Sequence, residues 1–179
     1  QESQVTDRLV AAVKLLSESD KMDESGNVVE NKSAARSGGI YALRRIAVDS
    51  EPDKPTVVDT LSTFIYDNVA PRPKAILTIY VLRSDIETAL NVLAEPQMGG
   101  AKLANAVLNN RNLARAKLCR AVLCDAYLRN TDLREADLYL ADLANAKLEG
   151  ALLVGARLIG AKLTLAKLMS ANLRGAILV

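Results

Sequence analysis

Three aspartates and two cysteines are the residues of this chain whose types and spacing could support chemistry. Asp132, Asp137 and Asp142 recur every five residues, and Cys119 and Cys124 are also five apart. Converging carboxylates could act as a general acid and base, and thiolates could hold a metal. The chain has no histidine to complete either kind of site, and it lacks a glycine-rich phosphate loop. We therefore interpret it as non-enzymatic and expect no catalytic residue, no metal and no cofactor.

The spacing of these residues belongs to a repeat that fills residues 101–179. Leucine occupies every fifth position from Leu103 to Leu178, and alanine stands two residues before each leucine except where Arg111 and Thr131 replace it. Steps of five rotate by about 140° on an α-helix, and a flat strand would alternate the leucines between two faces. A solenoid that bends once per repeat keeps them all inside. We expect its core to include Leu118, Leu123, Leu138, Leu143, Leu158 and Leu163.

The repeat unit resembles that of the pentapeptide-repeat family, which reads Ala, Asp or Asn, Leu and two polar residues. Residues 136–138, 141–143 and 171–173 match this unit literally. The resemblance implies a right-handed quadrilateral β-helix over residues 99–179, with four repeats in each of about four coils. Residues twenty apart should then stack at the strand spacing of about 4.8 Å.

This stacking predicts several contacts between charged side chains. Opposite charges meet in the columns Lys117–Asp137–Arg157, Asp142–Lys162, Arg115–Glu135 and Arg129–Glu149. Such exposed pairs set the register more than the stability. The stacking also places the three aspartates on different walls, where they cannot form an acid–base pair. The two cysteines fall on adjacent walls, so we expect no disulfide.

Residues 1–98 carry helical periodicity, which makes the chain α+β overall. We predict a helix behind an N-cap at Thr6, a second after Ser33 and a third from Pro55, the last two forming a hairpin. The acidic and polar stretch 17–32 is predicted to be a mobile loop. Periodicity leaves residues 75–82 open between a buried extended segment and the start of the next helix.

A fourth helix is predicted to begin with the capping box Ser84–Asp85–Ile86–Glu87. We expect it to cover the first coil, whose end would otherwise expose leucines and unpaired strand edges.

Residues 39–47 resemble the helical segment that precedes pentapeptide repeats in actinobacterial proteins, many of which are membrane-anchored. With Arg36, this segment also resembles a HEAT-type helix. The resemblance implies a full-length bacterial protein tethered to the membrane, with this portion in the cytoplasm. No apolar run within the chain reaches the about 18 residues that a spanning helix needs, so membrane association would depend on a segment outside it.

Charge bears on the best-known role in the family, which is the imitation of duplex DNA by rods that bind DNA gyrase and related topoisomerases. Residues 101–179 contain five lysines and seven arginines against four aspartates and two glutamates, a formal charge of +6. A DNA mimic needs a negative rod, so this quinolone-protection-like alternative is disfavoured. Direct nucleic-acid binding is also disfavoured, because the basic residues are interleaved with acids and only Tyr127 and Tyr139 offer exposed rings.

A scaffold or protein-interaction module is the remaining function. Outward positions late in the repeat are apolar, although solenoid walls are ordinarily polar, and such an area suggests a contact surface. An alternative is that β-branched residues simply suit a strand wall. We expect an unknown protein partner or a homodimer through the C-terminal end. The candidate interaction surface comprises Tyr139, Leu152, Val154, Ile159, Ile177 and Val179.

Overall fold

The structure, a computed structural model, describes residues 2–25, 28–69 and 83–178. The ambiguous segment 75–82 and Val179 lie outside the described residues. Within them, no helix is long and apolar enough to cross a membrane. The elements before the repeat are α1 (Glu2–Leu16), β1 (Lys21–Met22), β2 (Val28–Glu30), α2 (Ser33–Asp49), a short 3-10 turn (Glu51–Asp53), α3 (Lys54–Asn68) and α4 (Ser84–Leu93).

Helix α2 is the centre of the helical region and packs against α1, α3 and α4. Its side chains Ile40, Leu43 and Ile46 are fully buried. At Gly39, a Cβ would lie 2.7 Å from the carbonyl oxygen of Ala12 in α1. The two helices therefore approach so closely that only glycine fits at their crossing.

Two predicted helix starts are wrong, and one is nearly right. Helix α1 begins at Glu2, so Thr6 lies inside it and not at its N-cap. The N-cap of α4 is Arg83 and no side chain caps the helix, because the Ser84 hydroxyl lies 2.7 Å from the hydroxyl of Ser33 instead. Helix α3 begins at Lys54, with Pro55 in its first turn.

The stretch predicted as a loop contains a short antiparallel hairpin, in which β1 pairs with β2. Two lysines hold the carboxylate of Glu30 at its end: Lys21 at 2.6 Å and Lys32. Hydrogen bonds from Lys21 and then Lys32 lower the pKa of Glu30 to about 2. The mobility of this stretch stays a prediction.

The repeat region forms a β-helix in which parallel bridges join residues twenty apart, from Lys102–Val122 to Arg157–Ile177. These bridges confirm the predicted register. Each turn of twenty residues has four bends, and the last residue of each repeat has a positive φ, such as 59° at Asn105. Asparagine and glycine are common at these corners because both tolerate the left-handed conformation.

The leucines point inward along the solenoid. Leu118, Leu123, Leu138, Leu143 and Leu158 are buried, and Leu163 is partly buried. Thr131, in the alanine column, is also fully buried, and its hydroxyl donates to the carbonyl of Leu108 at 2.7 Å. This exception costs little because its polar group is satisfied.

Helix α3 supplies the polar contacts that join the helical region to the first coil. The Lys102 N–H donates to Ser62 Oγ at 2.9 Å, and its Nζ lies 3.0 Å from Asp59. Arg111 departs from the alanine column and donates to the carbonyl of Val69 at 3.1 Å. Helix α4, for which we predicted this covering role, continues the same hydrophobic core and leads into the coil through Gly100.

Candidate interaction surface

The β-helix has four walls, which we number by the leucine that begins each column. The first wall contains Leu103, the second Leu108, the third Leu113 and the fourth Leu118, and each wall repeats every twenty residues. In every repeat, the residues just before and just after the leucine face outward. A ligand on one wall can therefore contact side chains spaced by about one strand separation, 4.8 Å.

The fourth wall carries most of the candidate surface. Tyr139 and Ile159 are half-buried and Ile177 is 51% exposed. The guanidinium of Arg157 lies 4.6 Å from the Tyr139 ring centroid and 3.1 Å from the Asp137 carboxylate. The wall therefore combines an apolar column with a cation that is held in place beside it.

The third wall supplies the remaining predicted residues. Leu152 and Val154 are half-buried there, next to the fourth wall along the chain. We use the name apolar strip for Tyr139, Leu152, Val154, Ile159 and Ile177. The structure thus places the described candidate residues on two adjacent walls.

Sequence reasoning missed exposed apolar residues at or beside the corners. Leu140 is 43% exposed, Leu165 77% and Met169 76%. Leu140 and Leu165 also have positive φ values, 56° and 58°, which leucine rarely adopts. The signal was available, because leucine replaces the usual asparagine, aspartate or glycine at these two corners.

Leu140 extends the apolar strip toward the first wall. A Cβ added at Gly160 would lie 2.6 Å from Leu140 Cδ2, so the leucine covers the glycine twenty residues later. The missing side chain at position 160 therefore makes room for a strained, half-exposed leucine.

The last coil, residues 161–178, is the most exposed part of the β-helix. Leu163, Leu168 and Leu173 are only partly buried, and Leu178 is 53% exposed. Equivalent leucines in earlier coils are almost completely buried. The end of the rod therefore presents its own hydrophobic core.

The predicted ion pairs across coils are present. Arg115–Glu135 (3.0 Å), Arg129–Glu149 (3.2 Å), Arg157–Asp137 (3.1 Å) and Lys162–Asp142 (3.7 Å) all form. On the second wall, Lys147 and Lys167 occupy successive coils without an acid between them. Lys147 lies 3.6 Å from the Tyr127 ring centroid, and its hydrogen bond lowers the pKa of that tyrosine.

The aspartates lie on separate walls and each interacts with a base. Asp132 is fully buried with Arg134 at 2.6 Å, while Asp137 and Asp142 hold Arg157 and Lys162. The geometry brings no pair of these carboxylates together as an acid and a base. In the part of the chain that the structure describes, no cluster of histidine, cysteine or acidic residues could hold a metal.

Both cysteines are free and half-buried. Burial, followed by the hydrogen bond with Asp137, raises the pKa of the Cys119 thiol to about 11. This thiol is therefore protonated near neutral pH, which makes it a poor nucleophile and a poor metal ligand.

A buried charge cluster in the helical region was also missed by sequence reasoning. Arg36 is 3% exposed and Asp85 is fully buried, and the Arg36 Nε donates to Asp85. Arg36 Nη1 also contacts the Asp20 carboxylate at 3.0 Å and the Glu18 carbonyl at 2.7 Å. Arg83 donates to the other Asp85 oxygen at 2.7 Å. The cluster ties α2 to α4 and to the segment after α1.

Comparison with known proteins identifies the class of fold. A family model described as pentapeptide repeats matches in eight copies, over residues 101–138 and 141–178. A pentapeptide repeat protein from Nostoc Pcc 7120 is 32% identical over 46% of this chain and 84% of its own, with a TM-score of 0.28. The chain therefore belongs to the pentapeptide repeat family, whose fold is a right-handed β-helix.

Two further solved structures match over the same part of the chain. One is a pentapeptide repeat protein from the cyanobacterium Cyanothece 51142, with 30% identity and a TM-score of 0.43. The other comes from the Arabidopsis thaliana thylakoid lumen, with 31% identity and a TM-score of 0.43. In each case the match covers 44% of this chain and 54% of the other, so the chain spans about half their length. A comparison with curated proteins finds no match.

Proposed function

We propose that this protein is a non-enzymatic scaffold that binds another protein through the apolar strip and the last coil. The rod is a stack of about four coils, and the preceding helices act as a HEAT-like cap on its first coil. Its partner is a protein with a complementary apolar surface. We further propose a cytoplasmic location in a bacterial cell, with membrane tethering only through a segment outside this chain.

The observation that carries the proposal is the contrast between the two ends of the rod. At the first coil, α3 covers the solenoid, and the leucines there are buried. At the last coil, Leu165, Met169 and Ile177 are more than half exposed. Solvent-exposed apolar groups of this kind, next to the apolar strip, are typical of a binding surface.

Affinity capture with matched tyrosine variants tests the proposal. Tyr127 and Tyr139 are both half-buried outward tyrosines beside a cation, but only Tyr139 belongs to the apolar strip. We expect one protein from a lysate of the source organism to be retained by the wild-type chain and by Tyr127→Lys, and lost with Tyr139→Lys. That protein, once purified, should bind the wild-type chain in a defined stoichiometry. Equal retention by both variants, or loss with both, would contradict the proposal.

The topoisomerase alternative is tested by a supercoiling assay. We expect no inhibition of DNA gyrase at low micromolar concentration and no relief of fluoroquinolone poisoning, because the repeat region carries a formal charge of +6. Clear inhibition would overturn the electrostatic argument and direct attention to the acidic residues Asp132, Glu135, Asp137 and Asp142.

A further inference from the structure

The exposed edge of the last coil has a regular pattern of hydrogen-bonding groups. Lys162 donates its N–H to Ala141 at 2.9 Å and accepts from Leu143 at 2.8 Å, so both of its backbone groups point back into the rod. The carbonyl of Ala161 and the N–H of Leu163 point the other way, and neither has a backbone partner among the described residues.

The same pattern recurs around the rod. Asn172 and Ile177 also donate to the preceding coil, at 2.9 Å each, as does Lys167. On every wall the alanine carbonyl before the bridge residue and the leucine N–H after it therefore face outward. We call these groups the open edge; they belong to Ala161, Leu163, Ala166, Leu168, Ala171, Leu173, Ala176 and Leu178.

We propose that the open edge pairs with the open edge of a second copy of this chain, end to end about a two-fold axis. A two-fold axis perpendicular to the rod makes each strand antiparallel to the strand that it meets. An outward carbonyl and an outward N–H that flank one residue are the groups that close a wide antiparallel hydrogen-bonded ring. Each strand pair would thus form two hydrogen bonds, and a two-fold interface closes without continuing into fibres.

The rise of the coil determines which walls meet. Each coil climbs by about one strand spacing, 4.8 Å, so successive walls of the last coil differ in height by about 1.2 Å. A uniform gap between the two copies requires the lowest strand to meet the highest and the two middle strands to meet each other. The first wall of one copy therefore pairs with the fourth wall of the other, and the second with the third.

Side-chain charges favour the same arrangement. The bridge residues of the last coil are Lys162, Lys167, Asn172 and Ile177, on the first to fourth walls in that order. The pairing selected by the rise places Lys162 opposite Ile177 of the second copy and Lys167 opposite Asn172. Each of the other two-fold arrangements that superpose the walls brings lysines directly opposite each other, which is destabilising.

The arrangement also covers the two most exposed large apolar side chains of the described residues. With Lys162 opposite Ile177, Leu165 comes to the corner formed by Arg174 and Gly175 of the second copy, where glycine leaves space. Met169 comes to the axis itself, next to its own symmetry copy. These side chains are 77% and 76% exposed in the single chain. An interface formed by one coil end is small, so we expect micromolar affinity.

Opposite charges at one exposed position test the pairing. Ile177 faces outward and is 51% exposed, so its substitution should not unfold the chain. Ile177→Glu would face Lys162 of the second copy twice across the axis, and Ile177→Lys would place like charges there. By sedimentation equilibrium of the whole chain, we expect a micromolar dimer that Ile177→Glu tightens several-fold and Ile177→Lys weakens about tenfold.

Two controls accompany this measurement. Tyr139→Lys lies on the same wall but away from the open edge, and should leave the dimer unchanged. Thermal melts of each variant report whether the single chain is still folded. A chain that remains monomeric at tens of micromolar overturns the proposal, as does equal weakening by Ile177→Glu and Ile177→Lys, which would indicate a different axis. Neither result affects the capture experiment above, which tests binding of a different protein at the apolar strip.

Discussion

Leu138→Lys is expected to abolish the cooperative unfolding transition of the β-helix, whereas Tyr139→Lys should leave it nearly unchanged. Leu138 is completely buried, while its neighbour Tyr139 is half-buried on the outer wall. Truncating a buried leucine costs about 2–5 kcal/mol, and an unpaired buried charge adds several more. The sum is comparable with the whole free energy of unfolding of a domain, about 5–15 kcal/mol.

Thermal melts of the two variants, followed by circular dichroism, provide the measurement. Because adjacent residues receive the same new side chain, any difference between them reports the direction in which each points. Equal stability of the two variants would mean that the assignment of inward and outward positions is wrong.

The second large effect is expected for Asp85→Ala. This change would leave Arg36, which is 3% exposed, without its buried carboxylate partner. Breaking a buried pair in this way costs about 3–5 kcal/mol because the remaining charge stays desolvated. Glu95→Ala is the matched control, since Arg44–Glu95 joins α2 to the segment after α4 at 2.7 Å but is partly exposed. For that pair we expect a loss of about 0–1 kcal/mol.

Denaturant unfolding at pH 7 measures both variants, and the dependence on pH provides a second readout. Burial raises the pKa of Asp85, but hydrogen bonds from Arg83 and then Arg36 outweigh it and hold the pKa below its usual value. A lowered pKa stabilises the fold above the unfolded value of about 3.9 and loses this contribution as the pH falls. The difference between wild type and Asp85→Ala should therefore shrink toward pH 3. An equal cost for Asp85→Ala and Glu95→Ala at pH 7 would contradict this account.

The repeat region could be predicted closely from the sequence because its structure follows from a local period. Once each repeat turns the chain by one wall, residues twenty apart must stack, and pairs such as Arg115–Glu135 follow without further information. The helical region depends more on contacts between distant residues. Asp85 was interpreted as part of a capping box, but it pairs with Arg36, which lies 49 positions earlier. No local pattern indicates such a pair.

The candidate surface was only partly predictable for a related reason. Outward columns such as Tyr139–Ile159 follow directly from the period. The corner residues Leu140 and Leu165 were missed because their exposure depends on the left-handed corner conformation. The importance of the open edge depends on backbone groups, whose directions are the same for every sequence with this fold.

Hydrogen exchange measured as a function of protein concentration tests most directly whether the last coil is a binding edge. In the single chain, the N–H groups of Leu163, Leu168 and Leu173 face outward, whereas that of Leu143 donates to Lys162 at 2.8 Å. We expect the three edge amides to exchange rapidly below one micromolar and to become protected at tens of micromolar, with Leu143 protected throughout. Exchange of the edge amides that is rapid at every concentration would contradict edge-to-edge association of this chain.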